Sequence, residues 1–492
     1  TVHGRPIEVI EELHRPVPLT FLFQCRNEVL TSPQELKQRG YHGRDDWRAP
    51  RMRHRHDRHR SVPHAEGWVA HPNRLDRLLR HLQEAGHLPC IFFAFGRRRV
   101  EDLAREASQS PLVSPKERQA LRHMFHELCA KFHLEGHRTA QTLGHLLETG
   151  VAYHHAGMLP TLKEVVERCF TSRQVKLIVT TETFALGVNM PARSVVLDAL
   201  SKRSDQGFQR LRRREFLQMA GRAGRRGMDE AGFVYLRVHP AHTTYPELTA
   251  LLDGQPEPVQ SRFNTAYATL LNLYRHHGRG LLAWFPKTFY AFQTSGARRQ
   301  AGLSLMEQKL DLLESLGYLT PTGLTSKGGF ASWLYGYELL LSELKVAGHL
   351  HALDPVTLAV LIVAIVYEPR PGQQPSKRRR MGKRLDALCR EPLARIHQAE
   401  RHFHIAPRTK APSFTLTDAM EAWMHQHPFE RIMSLAGVDE GEVVRYFRMT
   451  VQLLRQLMEA PSADSTLRHT AERALGRVNR DVVDAEAQLR MG

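Results

Sequence analysis

Gln218-Met-Ala-Gly-Arg-Ala-Gly-Arg225 places two guanidiniums, Arg222 and Arg225, three residues apart and interleaves them with Gly221 and Gly224. Glycines let a backbone come close to a polyphosphate. Guanidinium forks match phosphoryl oxygens bidentately and never lose their charge. An arginine held against a transferring phosphoryl group contributes about 10³–10⁵ in rate. The segment reads as an arginine-finger turn.

Two further polar segments follow apolar runs. Thr180-Thr-Glu-Thr-Phe-Ala-Leu-Gly-Val-Asn-Met-Pro-Ala192 comes directly after Leu177–Val179. Polar residues at the carboxyl end of a parallel strand are where α/β folds bind ligands. Thr181 and Thr183 can donate to a phosphate, and Gly187 and Asn189 can face a nucleotide. His154-His-Ala-Gly-Met-Leu-Pro160 follows Val151–Tyr153. Adjacent residues of an extended chain point to opposite sides, which argues against His154 and His155 sharing a metal. Each segment alone also fits a plain strand-to-helix turn.

The elements that must position these groups are legible. From Leu88 to Leu236, short β-rich runs (Cys90–Phe93, Val151–Tyr153, Leu177–Thr180, Val195–Leu197, Phe233–Leu236) alternate with helical patterns, the texture of a parallel sheet with crossover helices. Leu19–Phe23 adds a candidate strand. Between Ser32 and Glu66 the pattern dissolves, and Arg51–Arg60 is too charged to bury; a solvated loop, a phosphate-touching tract and a metal site all fit its composition. After His239-Pro240 the texture is helical. Ser261–Tyr274 and Ser304–Leu316 are amphipathic, Gly317–Gly329 is turn-rich like a wing, and Lys377–Arg380 begins a second basic loop. Val356–Tyr367 follows Asp354-Pro355, a cap and first-turn proline, and predicts a buried helix.

The chain has 492 residues, with 69 Lys+Arg against 51 Asp+Glu, a formal net charge of +18. That length suggests roughly three domains. The charge points to a polyanionic partner, nucleic acid before membrane. The five cysteines are never spaced CxxC, which disfavours a disulfide framework or zinc site and fits a reducing cytoplasm. The longest apolar run is too short to span a bilayer.

The order and spacing of the segments resemble the second RecA-like domain of superfamily 2 helicases, and within it the superkiller-type (Ski-like) DExH-box RNA helicases. Ile91–Phe95 with Gly96 resembles the family's fourth motif, His154–Pro160 the strand-gripping motif after it, Thr181–Ala192 the fifth and Gln218–Gly227 the sixth. The resemblance implies that Gln218, Arg222 and Arg225 engage the γ-phosphate of ATP. It implies that Gly187 and Asn189 lie at the nucleotide cleft, and that His155, Thr181 and Glu182 line the nucleic-acid path. Related helicases place a duplex-parting hairpin between the fifth and sixth motifs; within Ser201–Arg214, Phe208 beside Gly207 is the candidate wedge, and a basic surface turn is the plain alternative.

The resemblance continues through a winged helix, Phe263–Gln293 with Leu270-Leu-Asn-Leu273, and a helical bundle, Trp423–Leu457. Glu440–Arg448 resembles the family's ratchet signature. On a helix, Arg445, Arg448, Gln452 and Arg455 form one polar stripe opposite Val444, Phe447, Val451 and Leu454. A row of forked donors suits a nucleic-acid backbone or stacking on bases.

Two departures stand out. The sequence contains no GxxxxGK[ST], and Asp229-Glu230-Ala-Gly232 follows the sixth motif rather than forming a DExH box. The first RecA-like domain, with its phosphate loop and Mg²⁺ carboxylate, is expected to be missing. Only Thr294–Leu303 separates the two parts of the winged helix, leaving little room for the arch of exosome-associated members.

The expected class is α/β followed by mostly α. A second RecA-like domain spans 1–240 with a basic loop near 32–66, a winged helix 241–345 and a helical bundle 346–492. The expected function is that of an ATP-dependent RNA helicase, using ATP with Mg²⁺, single-stranded or partly duplex RNA and the first RecA-like domain as partners, with no membrane partner. As a separate chain it is expected to bind nucleic acid without turning over ATP. A non-catalytic nucleic-acid-binding adaptor and a DNA-repair helicase are the alternatives; Thr181-Glu-Thr-Phe and the C-terminal signature favour RNA.

Overall fold

A computed structural model describes residues 8, 10, 15–38, 41, 73–185, 190, 192–204, 207–239, 242–370, 373 and 380–486. The basic tract Arg51–Arg60, Gly187, Asn189 and residues 377–379 lie outside the described residues. The chain forms two compact units, residues 9–258 and 259–490, a few terminal residues aside.

The first unit is built on strands β1 (Leu19–Cys25), β2 (Glu28–Leu30), β3 (Cys90–Phe93), β4 (Val151–His154), β5 (Leu177–Thr180), β6 (Ser194–Leu197), β7 (Ser201–Ser204), β8 (Gly207–Arg210) and β9 (Gly232–Arg237). Seven of them form one sheet in the order β2-β1-β9-β6-β3-β5-β4. Every pairing is parallel except the β1–β2 hairpin. Cys-Ile-Phe-Phe of β3 and Leu-Ile-Val-Thr of β5 are buried at every position. Such unbroken apolar runs belong to strands covered on both faces.

Its helices are α1 (Pro33–Gln38), α2 (Leu75–Glu84), α3 (Arg97–Ala107), α4 (Pro115–Lys131), α5 (Arg138–Leu147), α6 (Pro160–Thr171), α7 (Arg213–Ala220) and α8 (Tyr245–Asp253). From β3 the chain passes toward β4 at one edge; from β6 it passes toward β9 on the other side. The winding reverses between β3 and β6, and a crevice at their carboxyl ends is where open α/β sheets take ligands.

The unit boundary lies beyond His239-Pro240, where the sequence texture changes, because α8 belongs with the sheet. Glu257 accepts from the Arg213 and Arg214 amides at 2.8 and 3.0 Å, and Tyr41 donates to the Thr243 carbonyl.

The second unit contains α9 (Tyr267–His277), α10 (Phe289–Gln293), α11 (Gly296–Ser315), the two-stranded β10 (Leu319–Thr320) and β11 (Gly323–Leu324), α12 (Ser326–Ala331), α13 (Glu338–Val346), α14 (Pro355–Val366), α15 (Arg380–His402), α16 (Thr417–Met424), α17 (Phe429–Ala436), α18 (Glu440–Glu459) and α19 (Ser465–Val478). One apolar core runs from Leu270 to Val483. Helix α14 is its centre: Asp354 caps it through the Val356 and Thr357 amides, and nine of its twelve residues are buried. No helix among the described residues is long and apolar enough to cross a membrane.

Candidate functional site

The segment after β5 and the turn after α7 are stitched together by backbone. The Ala192 amide donates to the Arg222 carbonyl at 3.0 Å, and the Gly224 amide donates to the Ala192 carbonyl at 2.8 Å. Arg222, half-buried, donates its guanidinium to the Ala185 carbonyl at the end of the 3-10 turn Glu182–Ala185. Thr181, Glu182 and Arg222 therefore share one region of the unit. Gln218 is exposed on the last turn of α7.

Arg225 is bound by Asp229. Its Nε and Nη2 each donate to a carboxylate oxygen at 2.7 Å, and its amide donates to Oδ2 at 2.9 Å. The Asp229 side chain is only 4% exposed. Hydrogen bonding to Arg225 holds the Asp229 carboxyl below its ordinary range, and the same bonds raise the guanidinium pKa of Arg225. Below the turn, Arg15 donates Nη2 to the Gly221 and Ala223 carbonyls at 3.1 and 2.7 Å, closing the open end of α7.

Gly224 of the turn serves packing. Gly224 has φ +82°, and a Cβ there would lie 2.5 Å from Val17 Cγ1 and 3.2 Å from the Gly232 Cα. A Cβ on Gly232 would lie 2.6 Å from the Ala223 carbonyl carbon and the Gly224 nitrogen. The two glycines pack backbone to backbone, so the closeness expected toward a polyphosphate is spent, at Gly224, on the start of β9.

The paired histidines diverge, as alternation along a strand requires. His154 Nε2 meets Glu167 at 2.8 Å and His155 Nε2 meets Glu101 at 3.0 Å. His155 Nδ1 accepts from the Gly157 amide at 3.1 Å, so its Nε2 carries the proton and donates to Glu101. The ring is 3% exposed and stacks on Tyr153. The position expected to line a nucleic-acid path thus holds a side chain turned inward, with both nitrogens engaged. Burial lowers the pKa of His154 despite its Glu167 partner.

On the exposed side, Thr181 and Thr183 share a hydroxyl hydrogen bond at 2.9 Å. Glu182 accepts from Lys202 Nζ at 2.6 Å, and the same ammonium donates to Glu215 of α7 at 3.0 Å. Burial works against the charge of Lys202, but the two carboxylates hold its pKa above the ordinary value. Lys202 lies on β7, which pairs antiparallel with β8. The segment between the two stitched regions is thus a hairpin. Gly207, at φ +99°, begins its return strand, and Phe208 beside it is 82% exposed.

In the second unit, Val444, Phe447, Val451 and Leu454 are buried on α18, as the periodicity requires. The polar stripe divides. Arg445 and Gln452 are exposed. Arg448 instead donates to the Val483 and Val482 carbonyls at 3.0 and 3.2 Å, and burial lowers its pKa. Arg455 pairs with Glu486 at 3.0 Å.

Sequence reasoning did not reach Arg15, Lys202 or the partner role of Asp229. Of these only Asp229 left a local signal, its position four residues after Arg225.

Residues 116–227 match the model of the helicase conserved C-terminal domain, and residues 322–486 match that of the DSHCT (NUC185) domain. The first match gives the sheet unit a RecA-like α/β fold. The chain is 33% identical over 327 residues to human "Superkiller complex protein 2", covering 63% of this chain and 26% of that protein. It is 32% identical over 233 residues to "ATP-dependent RNA helicase mtr4" of Schizosaccharomyces pombe, covering 47% and 21%. It is 33% identical over 200 residues to "Antiviral helicase SKI2" of Saccharomyces cerevisiae, covering 40% and 16%. The matched stretches span about a quarter or less of these relatives.

Proposed function

We propose that this chain, which belongs to the superkiller-type DExH-box RNA helicases, forms the C-terminal portion of an ATP-driven RNA translocase. The observation that carries the reading is the backbone stitching of the segment after β5 to the finger turn, with Arg222 reaching across to Ala185. The backbone of one segment cannot shift without straining its hydrogen bonds to the other.

In this reading residues 9–258 act as the second RecA-like domain. The groups they offer suit the polyphosphate of ATP: Gln218 lies on the last turn of α7 and Arg222 and Arg225 in the turn that follows, two of the three permanent cations. The three side chains carry no carboxylate to offer Mg²⁺, and the Asp229 carboxylate beside them is taken by Arg225. The metal carboxylates and phosphate loop would come from a first RecA-like domain acting as partner. When bound, ATP supplies the free energy of the cycle. Arg222 places positive charge at the phosphoryl oxygens, Asp229 fixes the rotamer of Arg225, and Arg15 holds the turn that carries both.

RNA is the proposed partner. Thr181 and Thr183 present hydroxyls to its backbone, Glu182 ties that turn to the hairpin, and Phe208 acts as the wedge. In the second unit, α9–α12 with β10–β11 act as a winged helix and α18 as the ratchet helix, touching the strand through Arg445 and Gln452.

The test uses the purified chain with single-stranded RNA and ATP. Binding should weaken steeply with salt, as phosphate contacts require, while steady ATP hydrolysis stays at background until a first RecA-like domain is added. RNA-stimulated hydrolysis by these residues alone would overturn the two-domain cleft. Absence of RNA binding at low salt would overturn the RNA role.

A further inference from the structure

At the carboxyl ends of β3, β6 and β9, where the winding of the sheet reverses, lies a cavity of about 910 Å³. Its size falls at the upper end of small-molecule sites, about 300–1,000 Å³. Phe95 and Arg99 line it from beyond β3, and Asp198, Ala199 and Ser201 from beyond β6. Phe208 of the hairpin lines it too, while remaining 82% exposed.

The charge in this wall is unbalanced. Arg99 donates Nε and Nη2 to the two oxygens of Asp198 at 2.8 and 3.2 Å, and Arg237 of β9 donates Nη1 to the same carboxylate. Two guanidiniums share one carboxylate, so that trio keeps one net positive charge in a partly apolar recess, while Lys202 and Arg210 of the same lining pair with Glu182, Glu215 and Glu247. Arg237 is locked: its Nε donates to Gln24 at 2.9 Å, another nitrogen donates to the Asn73 carbonyl, and its side chain is 7% exposed. Arg99 is 47% exposed. The excess charge is therefore presented by Arg99 from a rigid base.

An aromatic ring lining a recess with a surplus positive charge suits an unstacked nucleotide: an aromatic face for the base, a cation for its phosphate. We propose that this cavity takes the base of one unpaired nucleotide, turned out of the RNA strand beneath the hairpin, with Phe208 stacking on it and Arg99 meeting its phosphate. The site rests on the reading of the chain as an RNA-binding helicase unit. It adds to that reading a place where the strand is held by a base as well as by its backbone. Beside a hairpin, a base held in this way keeps the separated strand from pairing again.

The experiment uses the full chain and a single-stranded RNA with a fluorescent end label, whose anisotropy reports affinity. A second set of the same RNA carries 2-aminopurine at one position at a time. One or two adjacent positions should change fluorescence on binding, and the remainder should not. Ala199→Trp, which fills the cavity and removes no charge, should abolish that local signal and weaken binding about fivefold to a hundredfold, the worth of one stacked base. Phe208→Ala alters only an exposed side chain, and should reduce the same signal and affinity; it carries the test if Ala199→Trp melts early. If the signal and affinity survive in folded Ala199→Trp, or free adenosine monophosphate binds the cavity equally well with the strand in place, the base site is overturned while RNA binding stands. If the native chain shows no anisotropy change, the RNA reading itself fails.

Discussion

Asp229 holds Arg225 by both of its carboxylate oxygens, at 2.7 Å each, and takes the Arg225 amide as well. The pair closes a loop of four residues after the finger turn, and its carboxylate side is almost fully buried. Arg222 and Arg225 are therefore unequal. One reaches across to the segment after β5, and the other is fixed within its own turn.

Asp229→Asn should lower the unfolding free energy by about 1–3 kcal/mol, because the guanidinium then keeps a neutral acceptor in a half-buried place. Urea denaturation of the two proteins measures it. Equal midpoints and slopes would show that the pair contributes nothing to the fold.

Gly224→Ala and Gly232→Ala should each be destabilising by about 1–3 kcal/mol, Gly224→Ala through both its positive φ and its contact with Val17. Gly232→Ala meets backbone atoms that cannot rotate away. Its midpoint in urea should fall at least as far as that of Gly207→Ala, where the added carbon meets nothing within 4 Å.

Arg445→Ala and Arg448→Ala should separate function from fold. Arg445 is exposed, so its loss should leave the melting temperature in place and reduce the slope of RNA affinity against salt by about one. Arg448 binds two carbonyls of the C-terminal segment, so its loss should cost about 1–2 kcal/mol of stability. An unchanged slope for Arg445→Ala would remove it from the RNA contact.

His87 should make the sheet unit acid-sensitive. Its ring stacks on Phe233 and meets Tyr235 at 2.6 Å. Burial, with Arg193 and His81 nearby, lowers its pKa from 6.5 to about 4. The unfolded chain therefore takes up the proton first. The stability due to neutral His87 is full above about 6.5 and is lost as the pH falls toward about 4. The melting temperature should drop by a few degrees between about pH 7.5 and about pH 5, and by less in His87→Gln.

Much of the fold is legible in the sequence because parallel strands buried on both faces are short unbroken apolar runs. Cys90–Phe93 and Leu177–Thr180 were readable to the residue. The cap at Asp354 was readable for the same local reason. The site is less legible. Arg222 and Arg225 look alike in a string, and only the turn that brings Asp229 back tells them apart. A histidine after a strand signals a polar task but not which way it faces, and His155 faces in. Arg448 and Arg455 satisfy a helical stripe, yet their partners, 482–486, come from a segment with no periodicity to announce it.

Lys202 ties the base of the hairpin to two other elements at once. Its ammonium sits between Glu182 and Glu215, and Phe208 lies six residues farther along the chain. Any sliding of the turn at Glu182 past helix α7 must lengthen one of two short ion pairs or carry the base of the hairpin along. Through that one ammonium, the turn at Glu182, the hairpin and helix α7 are mechanically one piece.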